Sequence, residues 1–211
     1  MKTARCAYCR SYASYLGELS KLPPGCPTKD MADVLEEARR IYVKDREVRR
    51  MALASSEVEG EGYMRWPRLV EVAKMAKKLG VKRIGIAFCI GLREEAEAIS
   101  RYLEKEGFEV FSVCCKVGAI PKSEVGVPRE RWINKDRPFE GICNPVGQAL
   151  ILNALGTELN LAVGLCVGHD SLFYRYSKAP VVTLIAKDRV TGHNPAIVLY
   201  SRYYRRALGI P

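Results

Sequence analysis

The chain has 211 residues, a length that folds as one domain and buries roughly 70% of its unfolded surface without disulfides. Hydrophobic residues make up 48% and charged residues 27%, which excludes a disordered or fibrous protein. Lys and Arg number 34 against 24 Asp and Glu, a net charge of +10. The basic residues are scattered, apart from Arg202, Arg205 and Arg206, and are not interleaved with aromatics, so nucleic acid is a disfavoured partner. No apolar stretch follows Met1-Lys2-Thr3-Ala4-Arg5-Cys6, and the apolar runs 84–90 and 161–167 are too short to span a bilayer. These features predict a cytoplasmic protein without a membrane partner.

Residues 1–29 carry no hydrophobic period and hold Cys6, Cys9 and Cys26 among Pro23, Pro24, Gly25 and Pro27. Asp30 reads as a helix N-cap, and Met31, Val34, Leu35, Ala38, Ile41 and Tyr42 form a helical stripe running toward Ala54. Ser, Glu and Gly over 55–62 are expected to break that helix. A second helix has Pro67 near its first turn, a stripe of Leu69, Val70, Ala73, Ala76 and Leu79, and Gly80 as its stop.

From Val81 the pattern alternates. A strand over 83–88 precedes a helix marked by Leu92, Ala96, Ile99 and Leu103 that ends at Gly107. A second strand over 109–113 leads into a long connection over 116–141. Asn144-Pro145 opens a helix to Leu155, stopped by Gly156. A third strand covers 159–165, a short helix follows Asp170, a fourth strand covers 180–186, and Thr191-Gly192-His193-Asn194-Pro195 leads to a final helix. Repeated strand–helix–strand units make a parallel sheet with right-handed crossovers. The expected fold is α/β, a doubly wound, Rossmann-like and mostly parallel sheet of about four strands with extra helices. It forms a single domain over 1–211, with a cysteine-bearing segment at 1–29, a helical part at 30–80 and the α/β core at 81–211.

Eight cysteines in a cytosolic chain point to metal or redox chemistry before disulfides. As small hydrophobes they would be scattered through the core. Instead Cys89 ends the first strand, Cys114 and Cys115 the second, Cys166 the third, and Cys143 precedes a helix N-terminus. In a doubly wound sheet all five face the crevice at the carboxyl ends of the strands, where ligands bind. A helix N-terminus also stabilises a thiolate. Cys114 and Cys115 are adjacent on a strand, so their side chains seldom point the same way. Cys6-Ala7-Tyr8-Cys9 is a CxxC with spacing suited to one metal, and Cys26 in Pro24-Gly25-Cys26-Pro27 can add a third thiolate. His169, beside the crevice, is the candidate catalytic residue, as metal ligand, proton carrier or substrate contact. His193 lies on the same edge. No Walker loop, GxGxxG, HExxH or nucleophile elbow occurs.

Five segments, Tyr63-Met64-Arg65-Trp66-Pro67-Arg68, Gly85-Ile86-Ala87-Phe88-Cys89-Ile90-Gly91, Val113-Cys114-Cys115-Lys116-Val117-Gly118, Cys143-Asn144-Pro145 and Gly164-Leu165-Cys166-Val167-Gly168-His169-Asp170, resemble an uncharacterised cysteine-rich family, domain of unknown function number 1847. The resemblance covers essentially the whole chain. It implies cysteine-ligated metal binding of the kind found in anaerobic bacteria and archaea, with no established reaction. Many members carry a further cysteine soon after the CxxC, where this chain has Ala13 and Ser14.

The functional expectation is therefore a cysteine-ligated metal protein. Cys6, Cys9, Cys26, Cys89, Cys114, Cys115, Cys143 and Cys166 are the candidate ligands, and the last five face a cofactor in the crevice. An iron–sulfur cluster is favoured over zinc, because crevice ligands that come singly from separate strand ends suit a cluster. Redox or sulfur chemistry with a small-molecule or electron-transfer partner would follow. The alternatives are a zinc-stapled, non-catalytic binding module contacting RNA and a thiol enzyme using a cysteine pair without metal.

Overall fold

The structure, a computed structural model, describes residues 4–210. Met1, Lys2 and Thr3, on which the expected lack of a leader partly rests, lie outside the described residues. The chain divides into two compact units, Met1–Glu61 and Gly62–Pro211. No helix among the described residues is long and apolar enough to cross a membrane.

The first unit contains α1 (Ala13–Leu16), α2 (Pro27–Asp30), α3 (Ala32–Lys44) and α4 (Arg46–Gly62), the last ending one residue beyond the unit's boundary. Three expectations need correction. Asp30 closes the short α2 rather than capping a long helix, and Met31 precedes α3. The helical pattern breaks at Asp45, whose carboxylate accepts the N–H groups of Glu47 (2.9 Å) and Val48 (3.1 Å) and so caps α4. Residues 55–62, expected to interrupt the helix, remain helical. Glu57, Glu59 and Glu61 are good helix formers, and an interior glycine costs only about 1 kcal/mol.

The second unit is built on β1 (Arg83–Phe88), β2 (Glu109–Cys114), β3 (Leu159–Val163) and β4 (Val181–Ile185), preceded by α5 (Arg68–Lys78). Between and after the strands lie α6 (Arg93–Lys105), α7 (Pro145–Ala154), α8 (His169–Tyr176), α9 (Ile197–Tyr200) and α10 (Arg202–Ala207). All strand pairs are parallel, in the order β2-β1-β3-β4, as the alternating pattern predicts. The chain moves outward from β1 to β2 through α6, then returns past β1 to β3 through α7. Right-handed crossovers in opposite directions put α6 and α7 on opposite faces and leave a switch point between β1 and β3.

Burial explains the composition of the strands. All five residues of β3 are buried, so it reads as an uninterrupted apolar run apart from Asn160. That polar side chain is satisfied: its Oδ1 accepts from Thr157 Oγ1 (2.8 Å) and its Nδ2 donates to Ser177 Oγ (2.9 Å). A core of Ala87, Val113, Ala149, Leu152, Ala162, Leu165 and Phe173 joins β1, β2 and β3 to α7 and α8. Gly164 follows β3 with φ 64°, and a Cβ there would meet Leu92 side-chain carbons at 2.7 Å. Only glycine turns the chain this sharply against that leucine.

The long connection between β2 and α7 is organised by Glu140. Its carboxylate is ion-paired with Lys122, and both side chains are largely covered. It also accepts the N–H groups of Ile133 (3.3 Å) and Asn134 (3.1 Å). Pro121 and Gly141 form a β-bridge, and Ile142 N–H donates to Ile120 O (2.9 Å). These contacts fix the approach to Cys143. The Lys122 bond, followed by the Asn134 N–H, holds the Glu140 carboxyl down at about 2. A depressed carboxyl stabilises the folded state fully above its ordinary value and loses that contribution as pH falls through about 2. Amide protection over residues 121–142, relative to the intrinsic rate, should therefore fall between about pH 4.5 and 2, and Glu140→Gln should give the low protection at neutral pH. Exchange unaltered by that substitution would show that Glu140 does not hold the connection.

Candidate functional site

Hydrogen bonds continue the sheet one residue beyond its strands and place the cysteines. Cys89 N–H donates to Val163 O of β3 (3.1 Å), and Cys115 N–H donates to Phe88 O of β1 (2.8 Å). Asn144 N–H then donates to Cys115 O (2.7 Å), which brings Cys143 beside Cys115. Asn144 also caps α7 by accepting Gly147 N–H (2.8 Å), and its amide donates to Val117 O (3.2 Å). On the far side, Cys166 O accepts from His169 N–H (2.9 Å) and Asp170 N–H (3.2 Å) at the start of α8.

The outcome is one tight pocket lined by Cys89, Cys115, Cys143, Cys166 and His169, with Pro145, Gln148 and Leu165 completing its wall. Four of the five cysteines assigned to the crevice thus share a single site with the assigned histidine. Cys114 is not among the lining residues, in keeping with the alternation of side chains along a strand. Cys115, only 2% exposed, sits at the centre. Cys89 and Cys143 are the neighbours that act most strongly on its thiol, and Cys143 in turn is acted on by His169. Ile90 N–H also donates to Cys115 Sγ (3.4 Å).

Three neighbouring thiols in a partly dry pocket cannot all ionise. Cys143, then Cys89, and then burial push the Cys115 thiol far up, so it keeps its proton. Its hydrogen bond pulls Cys143 down, aided by His169 and by the charge of Lys116. Cys89 is lowered by Cys115, then by the Gly91 N–H and by Lys187. The Cys143 contact raises His169 toward its cationic form. The pocket thus holds Cys115 toward its thiol form, draws Cys143 and Cys89 toward thiolate, and shifts His169 toward its cationic form.

Three pocket features were not assigned from sequence. Gln148 is fully buried, and its Nε2 donates to Phe88 O (3.2 Å) and Val113 O (2.6 Å). These bonds tie together the ends of β1 and β2, while Oε1 is buried without a partner. A glutamine early in the largely apolar helical segment 145–154 was the available signal. Arg189 contacts Cys166 Sγ at 3.1 Å, and Lys187 acts on Cys89 through its charge. Neither falls in a recognisable motif. His169 Nδ1 is also buried without a partner. His193 has a local role instead: its Nδ1 accepts Asp188 N–H (3.0 Å) within the turn after β4.

In the first unit Cys6, Cys9 and Cys26 line one open cavity of about 480 Å³ with Arg5, Arg10 and the 23–27 turn. The Cys26 thiol is lowered by the backbone N–H of Thr28 and by the Thr28 hydroxyl. Thiols and imidazole are soft donors suited to zinc or iron. The donor types fit such a metal and the arrangement does not. Among the described residues, no three His, Cys, Asp or Glu side chains converge so as to hold a metal ion.

A family model described as Protein of unknown function (DUF1847) matches residues 26–184. That stretch contains all the crevice cysteines and His169 but leaves Cys6 and Cys9 outside. An uncharacterized protein of Methanocaldococcus jannaschii is 44% identical over 205 residues, spanning 97% of each chain.

The electrostatics of the pocket can be checked directly. The difference in thiolate ultraviolet absorbance between the native protein and Cys143→Ser should persist at neutral pH and vanish only on acidification. Its midpoint should lie well below the value of about 8.5 for a free cysteine. His169→Asn should move that midpoint upward. A Cys143 midpoint near the free value would mean that neither Cys115 nor His169 acts on it.

Proposed function

The chain belongs to the family described as Protein of unknown function (DUF1847), and from that starting point we propose that it is a thiol-based redox or sulfur-handling protein working at the crevice. The observation that supports this reading is the meeting of Cys89, Cys115, Cys143 and Cys166 with His169 in one pocket at the switch point of the sheet. A doubly wound sheet binds ligands there whatever its chemistry.

Cys143 is the nucleophile in this reading. It precedes the N-terminus of α7, is part-exposed, and has His169 beside it. Its thiolate attacks one sulfur of a disulfide substrate. The S–S bond breaks, one substrate thiolate leaves and takes a proton, and Cys143 is held as a mixed disulfide. The hydrogen bond to the Cys143 thiolate, first among the causes that keep Cys115 protonated, has then gone, and the Cys143 charge with it. Cys115 now ionises more readily, attacks Cys143 Sγ and releases the second substrate thiol. A Cys115–Cys143 disulfide remains. The substrate disulfide has gained two electrons and the two cysteines have lost two. Cys89 and Cys166 flank this pair.

The donor set supports a second reading, in which Cys89, Cys115, Cys143, Cys166 and His169 hold zinc or an iron–sulfur cluster after rearranging to meet it. One experiment separates the two. Protein isolated anaerobically is assayed for metals and acid-labile sulfide, then mixed with a small aromatic disulfide. The thiol reading predicts no stoichiometric metal and reduction of about one disulfide per chain at the crevice. Cys143→Ser should abolish that reduction, and Cys115→Ser should stall it at the mixed disulfide. Stoichiometric metal or sulfide that is lost in Cys143→Ser would overturn the thiol reading in favour of the metal.

A further inference from the structure

The outer strands of the sheet deliver cations to the same edge at which the thiols meet. Lys116 follows β2, while Lys187 and Arg189 follow β4, and these two strands flank β1 and β3. Every strand pair is parallel, so all three cations lie at the carboxyl edge of the sheet. Arg189 Nη2 contacts Cys166 Sγ at 3.1 Å, and Cys89 and Cys143 also act on its charge. Lys187 Nζ lies 3.5 Å from the place of a Cβ on Gly91 and acts on Cys89. Lys116 Nζ donates to Gly141 O (2.6 Å), just before Cys143, and acts on both Cys143 and His169.

None of the three cations is ion-paired to a carboxylate among the described residues. Asp188 lies between two of them in sequence, but its carboxylate accepts the N–H groups of Val190 (2.9 Å) and Thr191 (3.1 Å). Asp170, which acts on His169, accepts the N–H of Ser171 (2.8 Å).

Thiol chemistry upsets this balance of charge. In the reduced pocket Cys143 and Cys89, drawn toward thiolate, offset the cations. A mixed disulfide at Cys143 removes one of those charges, and like charges left together without a counterion disfavour that state. A substrate that brings its own anion restores the balance. The pocket is too tight to admit more than the reacting sulfur, so the anion has to sit at its mouth. Donors remain there. Arg189 spends one nitrogen on Cys166 out of a guanidinium with five N–H groups. A cationic His169 also offers Nδ1, which is buried without a partner.

We propose, on the thiol reading above, that the crevice selects small disulfides bearing a carboxylate close to the reacting sulfur, with Arg189, Lys187 and Lys116 as its specificity-determining residues.

The test compares the rates at which the reduced full chain cleaves three probes of similar size. These are dithiodiglycolate, which is anionic, bis(2-hydroxyethyl) disulfide, which is neutral, and cystamine, which is cationic. With each probe the S–S bond breaks, two probe thiols are released and one Cys115–Cys143 disulfide forms. Dividing each rate by that of 2-mercaptoethanol with the same probe removes the probe's own reactivity. The anionic probe should then exceed the cationic one by about tenfold. Arg189→Gln and Lys187→Gln should each lower the anionic rate about fivefold relative to the neutral one, and Arg189→Lys should retain the preference. Lys105→Gln removes a charge at the amino end of the sheet and should leave the ratio unchanged. Altered thiol ionisation moves all three probes together, so the ratio isolates contact with the substrate. Circular dichroism confirms that each variant is folded. Equal normalised rates in the native protein would overturn the proposal and leave the thiol reading standing. So would ratios that fall no further in Arg189→Gln and Lys187→Gln than in Lys105→Gln. A native protein that cleaves none of the probes would overturn both.

Discussion

The candidate site depends on the parallel register between β1, β2 and β3. Phe88 is paired with both Cys114 and Val163, so the residues just beyond the strands inherit that alignment. Cys89 and Cys115 each donate one more ladder bond, to Val163 O and Phe88 O. A register slip of one residue on either strand would turn its cysteine to the other face. The backbone therefore fixes two sulfurs at neighbouring positions before any side-chain interaction is considered. Asn144 brings the third by its bond to Cys115 O, and Gln148 locks the strand ends from the side of α7. Among the described residues lining the pocket, His169 Nδ1 and Gln148 Oε1 are buried without a partner and, with the thiols, are its chemically available atoms.

Sulfur placement and electrostatics are then one problem. A buried thiol in contact with two others resists ionisation, and its retained proton stabilises the thiolates on either side. The same contact that silences Cys115 activates Cys143 and Cys89. Any change in the charge of Cys143 is felt by Cys115 at once. In the thiol chemistry proposed above, this coupling orders the steps, with Cys143 reacting first and Cys115 second. Arg189 and Lys187 add positive charge at the rim beside Cys166 and Cys89, where an anionic substrate or leaving thiolate would be stabilised.

Much of this was legible in the sequence. Apolar runs marked the strands, most plainly β3, which is buried on both faces and has no polar side to show. Cysteines at the ends of such runs located the crevice. The adjacent pair reads from sequence as two crevice residues, and only Cys115 lines the pocket, because side chains alternate along a strand. Other features depended on contacts distant in sequence. Gln148 acquires its role from two strand carbonyls, and Arg189 meets Cys166 only after β4 has added to the sheet. The break between α3 and α4 was missed because apolar periodicity continues across Asp45, whereas the carboxylate bonds to Glu47 and Val48 end one helix and begin the next. Residues 55–62 show the converse, since a polar composition with glycine remains compatible with helix. The cysteines also fit a metal site in kind, while their arrangement in the fold is a row of contacts. Ligand type is written in the sequence, and convergence on one point is not.

The central claim is that Cys115 lies between Cys89 and Cys143 within bonding reach of its neighbours. The most direct measurement is mass-spectrometric mapping of disulfides after brief mild oxidation of the reduced, native protein. Cys115–Cys143 is the predicted first bond, with Cys114 remaining free. A first disulfide that joins Cys114 to any crevice cysteine, or crevice thiols that all remain reduced while other cysteines oxidise, would contradict the arrangement.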